Sequence, residues 1–215
     1  QVLRRDGARA AAAACVPKLR RGYEEIAAGD WWCLGGRTLD VMVRVPDARK
    51  GWRRVRPVLT GVLDVRSRML VGWDVRATEC ADGVLAGLLR AMEQFGAPSH
   101  IIQDNGSAYD AALGSPRGTP GQRRLFEDDR CGGLARELGI TLHPTTPYQP
   151  WAKMIESIWR RMRDMLDRWC ASYWGGAPAD RPHDADRWTR ERIDRLPTVD
   201  ELSELIRQGV AEHHD

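Results

Sequence analysis

Apolar and polar positions fall into blocks along this chain, and the period of the pattern changes from block to block. Residues 37–45, Arg-Thr-Leu-Asp-Val-Met-Val-Arg-Val, are rich in β-branched and apolar side chains, which predicts a first strand ending at a Pro46-Asp47 turn. The charged stretch 47–56 reads as a hairpin loop. Pro57 to Val65 predicts a second, central strand, Arg66-Ser67-Arg68 a turn, and Met69 to Val75 a third strand. Three sequential strands with short connections indicate an antiparallel meander. A helix is expected from about Asp82, with Val84, Leu85, Leu88, Leu89 and Met92 at helical spacing and Gly96-Ala97-Pro98 as its stop. Ile101-Ile102-Gln103-Asp104 then reads as a strand. A helix followed by a strand suggests a crossover and a parallel addition to the sheet.

Residues 107–124 carry Gly114 to Gly121, rich in glycine and proline, and predict a loop. Helix is expected again over Leu125 to Leu138 with Gly139 as C-cap, and Ile140 to His143 as a short fifth strand. Pro144 to Pro150 leads into a long helix from about Trp151 to Trp169. On it Trp151, Ile155, Ile158, Met162, Met165 and Trp169 share one stripe, expected to face the core, with Lys153, Glu156, Arg160 and Arg163 beside them. Residues 174–190 read as loop. Thr198-Val-Asp-Glu201 is a capping box opening a last helix, with Leu202, Leu205, Ile206 and Val210 inward. The order predicts an α/β fold: a mixed five-stranded sheet, three strands antiparallel and two parallel, flanked by helices. Residues 1–29 read as a helical linker, 30–172 as the core, and 173–215 as its helical C-terminal extension.

Composition adds little to this. The 215 residues give a net charge of only +3, from 33 basic and 30 acidic side chains, but all bases except Lys18, Lys50 and Lys153 are arginine. Arginine suits bidentate phosphate contacts, so nucleic-acid binding is permitted without being required. Cys15, Cys33, Cys80, Cys131 and Cys170 are odd in number and scattered. That pattern speaks for reduced thiols in a cytoplasmic setting and against a disulfide framework or a zinc site. No apolar run approaches the roughly 18 residues that span a membrane. Opening on Gln1, the chain reads as part of something longer.

The candidate chemistry centres on Asp104. A strand that delivers a carboxylate into an Asn105-Gly106 turn is one way to expose a metal ligand, although Asp-Asn-Gly is also ordinary turn composition. Phosphodiester chemistry of the two-metal kind needs clustered carboxylates holding two divalent cations about 3.5–4 Å apart. Glu156 could be a second ligand; its plainer role is an i, i+4 pair with Arg160.

Five segments tip that balance: Arg44-Val-Pro-Asp47, Arg56-Pro57, Asp64-Val-Arg-Ser-Arg-Met-Leu-Val-Gly-Trp73, Ile101-Ile-Gln-Asp-Asn-Gly106 and Pro147-Tyr-Gln-Pro-Trp-Ala-Lys-Met-Ile-Glu156. In this order the sequence resembles the DDE recombinases with a ribonuclease-H-like core, closest to phage Mu-type transposases. The resemblance implies a catalytic core that nicks DNA 3′ ends and joins them to target DNA, with Mg²⁺ or Mn²⁺ at a two-metal site. It implies Asp104 as second catalytic aspartate, Glu156 as catalytic glutamate, both as metal ligands, and Lys153, Arg160 and Arg163 as contacts to DNA. Its partners would be transposon ends and target DNA, its working form a multimer on DNA, and its setting a phage or prophage. The 52 residues from Asp104 to Glu156 match the Mu-type spacing.

The departure is at the first acid. The family motif Trp-x-x-Asp, with a second acid or Asn five residues on, aligns with Trp32-Cys-Leu-Gly35 and Asp40, so Gly35 stands where the first catalytic aspartate belongs. Asp40 is a candidate substitute on the same strand, though an odd offset points it to the other face unless a bulge intervenes. Asp64 is expected to be structural. Two other readings remain open: a catalytically inactive transposase-derived domain for DNA binding and assembly, and a ribonuclease or junction resolvase of the same fold.

Overall fold

The computed structural model describes residues 25–103, 106–113, 133–144 and 154–214. Its strands are β1 (Trp31–Thr38), β2 (Val43–Asp47), β3 (Gly51–Val55), β4 (Val58–Asp64), β5 (Leu70–Arg76), β6 (His100–Gln103) and β7 (Thr141–Pro144). The helices are α1 (Ala81–Phe95), α2 (Ser107–Leu113), α3 (Leu134–Glu137), α4 (Ile155–Met165), α5 (Ala185–Glu191) and α6 (Val199–His214). Five strands form one sheet in the order β5-β4-β1-β6-β7. β1 runs antiparallel to β4 and parallel to β6, and β6 runs parallel to β7. This is the mixed sheet, three strands antiparallel and two added in parallel, that the pattern implies.

The first strand differs from its expected span. It begins at Trp31 and ends at Thr38, and residues 43–47 belong to a separate two-stranded hairpin with residues 51–55. Two forces divide the 37–45 block. Packing from α4 sustains the strand through Gly35-Gly36, where the glycines supply no cohesion of their own. Beyond Thr38 the chain is pulled out of the sheet at Asp40, whose carboxylate takes an ion pair from Arg56 at 2.6 Å.

The sheet carries an apolar layer on each face. One joins Cys33, Leu63 and Ile102 to Ile155, Ile158, Trp159 and Met162 of α4 and to Leu202, Ile206 and Val210 of α6. The other joins Trp32, Leu34, Val62 and Ile101 to Val84 and Leu88 of α1 and Tyr109 of α2. Four side chains expected inside are not: Leu89 is 48 % exposed, Leu205 46 %, Met165 38 % and Trp169 82 %. For Trp169 the reason is local, because α4 stops at Met165 and a 3-10 turn at Asp167–Trp169 rotates the chain off the core stripe. The loop expected over 107–124 instead opens with α2 at Ser107–Leu113; Trp151, residues 114–124 and most of the helix expected over 125–138 lie outside the described residues.

The segment after residue 172 has more structure than a loop. Trp174, Ala185 and Leu196 pack with Met42. Arg54 of β3 ties α5 down, donating to the Asp186 carbonyl at 2.8 Å, its carboxylate at 2.6 Å and Thr189 Oγ1 at 2.6 Å. The capping box forms as expected, with Glu201 N–H donating to Thr198 Oγ1 at 3.2 Å and Thr198 N–H to Glu201 Oε2 at 2.7 Å. Among the described residues, Cys33, Cys80 and Cys170 form no disulfide. No helix among the described residues is long and apolar enough to cross a membrane.

At the start of the parallel strands, Trp31 stacks on His100 and His143 with ring centroids 4.2 and 4.5 Å away, and the two imidazoles share a 3.2 Å N···N contact. Burial, and then the neighbouring His100, lower the His143 pKa from its ordinary 6.5. A lowered histidine binds its proton less readily folded than unfolded. Its contribution to stability is therefore complete above pH 6.5 and declines as the pH falls below that value towards the lowered one. His143→Gln is expected to flatten the loss of thermal stability on acidification from about pH 7 to 5.5. An unchanged pH profile would argue that the pair carries no such linkage.

Candidate active site

The site is built where α4 lies across β1. Gly35 and Gly61 are opposed in the β1–β4 register, so two neighbouring strands present bare backbone on the same face. Trp159 lies over both. A Cβ at Gly61 would come within 2.3 Å of Trp159 Cη2, and one at Gly35 would lie 2.7 Å from Ile155 Cγ2 and 3.6 Å from Trp159 Nε1. The indole is 7 % exposed, and its Nε1–H finds no acceptor among the described residues.

Arg37, two residues on and so on the same face, completes the attachment. Its guanidinium donates to the Trp159 carbonyl at 2.7 Å and pairs with Asp167. Burial brings the Arg37 pKa down to about 10, with Asp40 the main opposing influence. Asp167 also accepts the Asp40 N–H at 2.8 Å. Loss of one member of such a buried ionic set leaves the others unpaired, which is the costly case.

The sequence-predicted residues fall in different places. Position 35 faces Ile155, the residue immediately before Glu156, so the first-acid position and the start of α4 are neighbours. Glu156 is exposed and has no ion pair among the described residues, so its pairing with Arg160 is not formed. Arg160 is exposed and Arg163 half-buried, the latter 3.7 Å from the Asp164 carboxylate. β6 ends at Gln103, fully buried and one residue beyond the Cys33–Ile102 pair. Asp104, Lys153 and Cys131 lie outside the described residues.

Asp40 is elsewhere. It is buried against Arg56, its carbonyl accepts from Trp174 N–H at 2.7 Å, and it neighbours Asp167 beyond the C-terminal end of α4. Glu156 is at the opposite end of that helix, roughly 18 Å of helical rise away. This position fits a structural role better than substitution for the first acid. Asp64, expected to be structural, accepts from Gly29 N–H at 2.8 Å, Ser67 N–H at 2.7 Å and Ser67 Oγ at 2.6 Å.

Trp159, Gly61, Arg37 and Asp167 were not singled out by sequence reading. Only Gly61 left a signal, as an isolated glycine inside an otherwise apolar strand, which often marks a close approach.

Residues 30–150, over half of the chain, match the integrase core domain family, and the chain belongs to that family. Its sheet is the ribonuclease-H-like arrangement. No curated protein matches the sequence. Among solved structures, the simian T-cell lymphotropic virus intasome in complex with PP2A regulatory subunit B56 gamma is 16 % identical, with TM-score 0.46, covering 87 % of this chain and 49 % of that one. This chain thus spans about half the length of that relative. The HTLV-2 integrase catalytic core domain in complex with magnesium is 12 % identical, covering 84 % of each chain with TM-score 0.41. The BIV integrase catalytic core domain is 16 % identical, covering 82 % of this chain and 80 % of that one with TM-score 0.39.

A divalent cation pair needs a shared carboxylate, and hard cations take oxygen ligands. At position 35 there is no side chain, and the neighbours are a methyl group and an N–H donor, whose positive end opposes a cation. No cluster of three or more metal-binding side chains occurs among the described residues. Position 35 therefore does not fit the shared ligand of a two-cation site.

The indole contact makes a prediction. Gly61→Ala should lower stability by about 1–3 kcal/mol or more, since the added methyl overpacks the ring. Urea denaturation measures this, and an unchanged midpoint would mean that the ring can move aside freely.

Proposed function

We propose that this chain is the core domain of a Mu-like DDE transposase, a polynucleotidyl-transferase domain that engages DNA ends and is impaired in cleavage and strand transfer by glycine at its first acidic position. One observation carries the reading: position 35 of β1 lies against Ile155, next to Glu156, beside the strand that leads to Asp104. That is the neighbourhood in which the family's three acids would meet. Asp104 and Glu156 are the remaining carboxylates, and Mg²⁺ or Mn²⁺ is the cation that the family's chemistry would supply there.

Lys153, Arg160 and Arg163 are the proposed phosphate contacts. They would hold the backbone in place without reading bases, so this domain should have little sequence preference. The working form is proposed to be a multimer on DNA, and the chain to come from a phage or prophage. A second reading, an inactive domain kept for DNA binding and assembly, is favoured by the filled space at Gly35.

DNA binding tests the shared part of both readings. Affinity for duplex ends, followed by fluorescence anisotropy, should fall steeply as salt rises, and Arg160→Ala should reduce the slope of log K against log salt by about one. A flat salt response would overturn the proposal. Nicking of donor-end DNA in Mn²⁺ separates the two readings: slow cleavage abolished by Glu156→Gln supports the first, and none supports the second.

A further inference from the structure

We propose that Ile155, backed by the indole of Trp159, has taken over the place of the first carboxylate and closes that pole of the site, so Gly35→Asp alone cannot restore it. The inference rests on the integrase-core reading and on the register of β1, and it deepens the second reading above.

A lost acid could simply have left a gap. In that case a methyl group added at Gly35 would find ordinary contact distances. Instead it would meet Ile155 Cγ2 at 2.7 Å, closer than real Cβ atoms come to a neighbour. Ile155 is itself 1 % exposed, and it is β-branched on a helix, so it has little rotamer freedom with which to withdraw.

The indole is held as well. Its benzene edge rests on Gly61, where even a methyl would collide at 2.3 and 2.9 Å, and its Nε1 lies over Gly35. Its own carbonyl is fixed by Arg37. The ring therefore lies across β4 and β1 in a slot that depends on glycine at 61, with Ile155 packed against the paired glycine at 35. Glycine at 61 makes the slot deep enough for the ring, and glycine at 35 leaves room for Ile155 and the pyrrole side.

The chemistry of the slot is also altered. The buried Nε1–H without an acceptor puts a hydrogen-bond donor where the family would put an anionic ligand. A carboxylate introduced at 35 would meet this donor on entry, in competition with any cation. The domain that results holds α4 more firmly to the sheet while lacking the shared ligand.

A double-mutant cycle tests the packing claim. Gly35→Ala is expected to lower the melting temperature by about 3–10 °C, the range that overpacking gives in a chain of this length. With Ile155→Ala already present the same change should cost much less. Ile155→Leu, which removes the branch methyl at nearly constant volume, gives the same comparison if the alanine variant folds poorly. Additive losses would overturn the proposal.

The second arm uses Mn²⁺ as the probe. The unaltered protein and Gly35→Asp should show no Mn²⁺-induced rise in melting temperature. Gly35→Asp with Ile155→Ala should show one, lost again on adding Glu156→Gln. A Mn²⁺-induced rise in Gly35→Asp alone, with its stability unchanged, would refute closure of the pole. Duplex-end binding by the unaltered protein, measured in Mg²⁺ and in EDTA, is the control. If it is absent, the DNA-binding reading fails while the thermal cycle still decides whether Ile155 fills the place at position 35.

Discussion

The contact of an indole with bare backbone organises this molecule. Strands normally meet a helix through side chains, which keep helix and sheet well apart. Here Gly35 and Gly61 remove two Cβ atoms from adjacent strands, and Trp159 settles into the space. A large aromatic so placed gains both apolar burial and close dispersion contact. The start of α4, and with it Glu156, is held by this contact over the middle of β1. Arg37, reaching along the same face to the Trp159 carbonyl and Asp167, fixes the helix at its other end.

From Asp167 the dependence passes outward. Asp167 accepts from Asp40, Asp40 binds Arg56, and the carbonyl of Asp40 accepts from Trp174. These polar links cross from the sheet to the C-terminal segment. The segment then covers the hairpin β2–β3, while α6 returns to the layer that contains α4. The C-terminal extension thus shares the core and is no separate appendage. An acid that sequence position nominated for chemistry is used to join two parts of the fold.

Removing a metal ligand from an open cleft would leave polar groups in water at little cost. At position 35 the space adjoins the core, and an unfilled space there would carry the energetic penalty of a cavity. Filling it with Ile155 and Trp159 recovers packing but trades away access. The same physics explains why the surface acids and arginines of α4 can vary at small cost, since exposed pairs contribute little.

Much of the fold was legible in the sequence. Strands β4 and β5 and helix α1 follow from apolar runs and period alone, and the capping box at Thr198 and Glu201 states its own hydrogen bonds. The motifs around Asp64, Asp104 and Glu156 were enough to name the family, and the offset from Trp32 nominates Gly35 as the first-acid position. What the sequence could not state is what lies against that glycine. Strand β1 runs through Gly35-Gly36 despite glycine's poor strand propensity because α4 packs on it, and Asp40 is held away from that helix's start because Arg56 pairs with its carboxylate and Asp167 accepts its N–H. Trp169 is exposed because one 3-10 turn breaks the helical period. Apart from the local turn at Trp169, these outcomes depend on contacts between residues 16 to 130 positions apart, as in the pairings of Asp40 with Arg56, Gly35 with Gly61 and Arg37 with Asp167. Local pattern carries no record of such distances, and only the folded chain decides them.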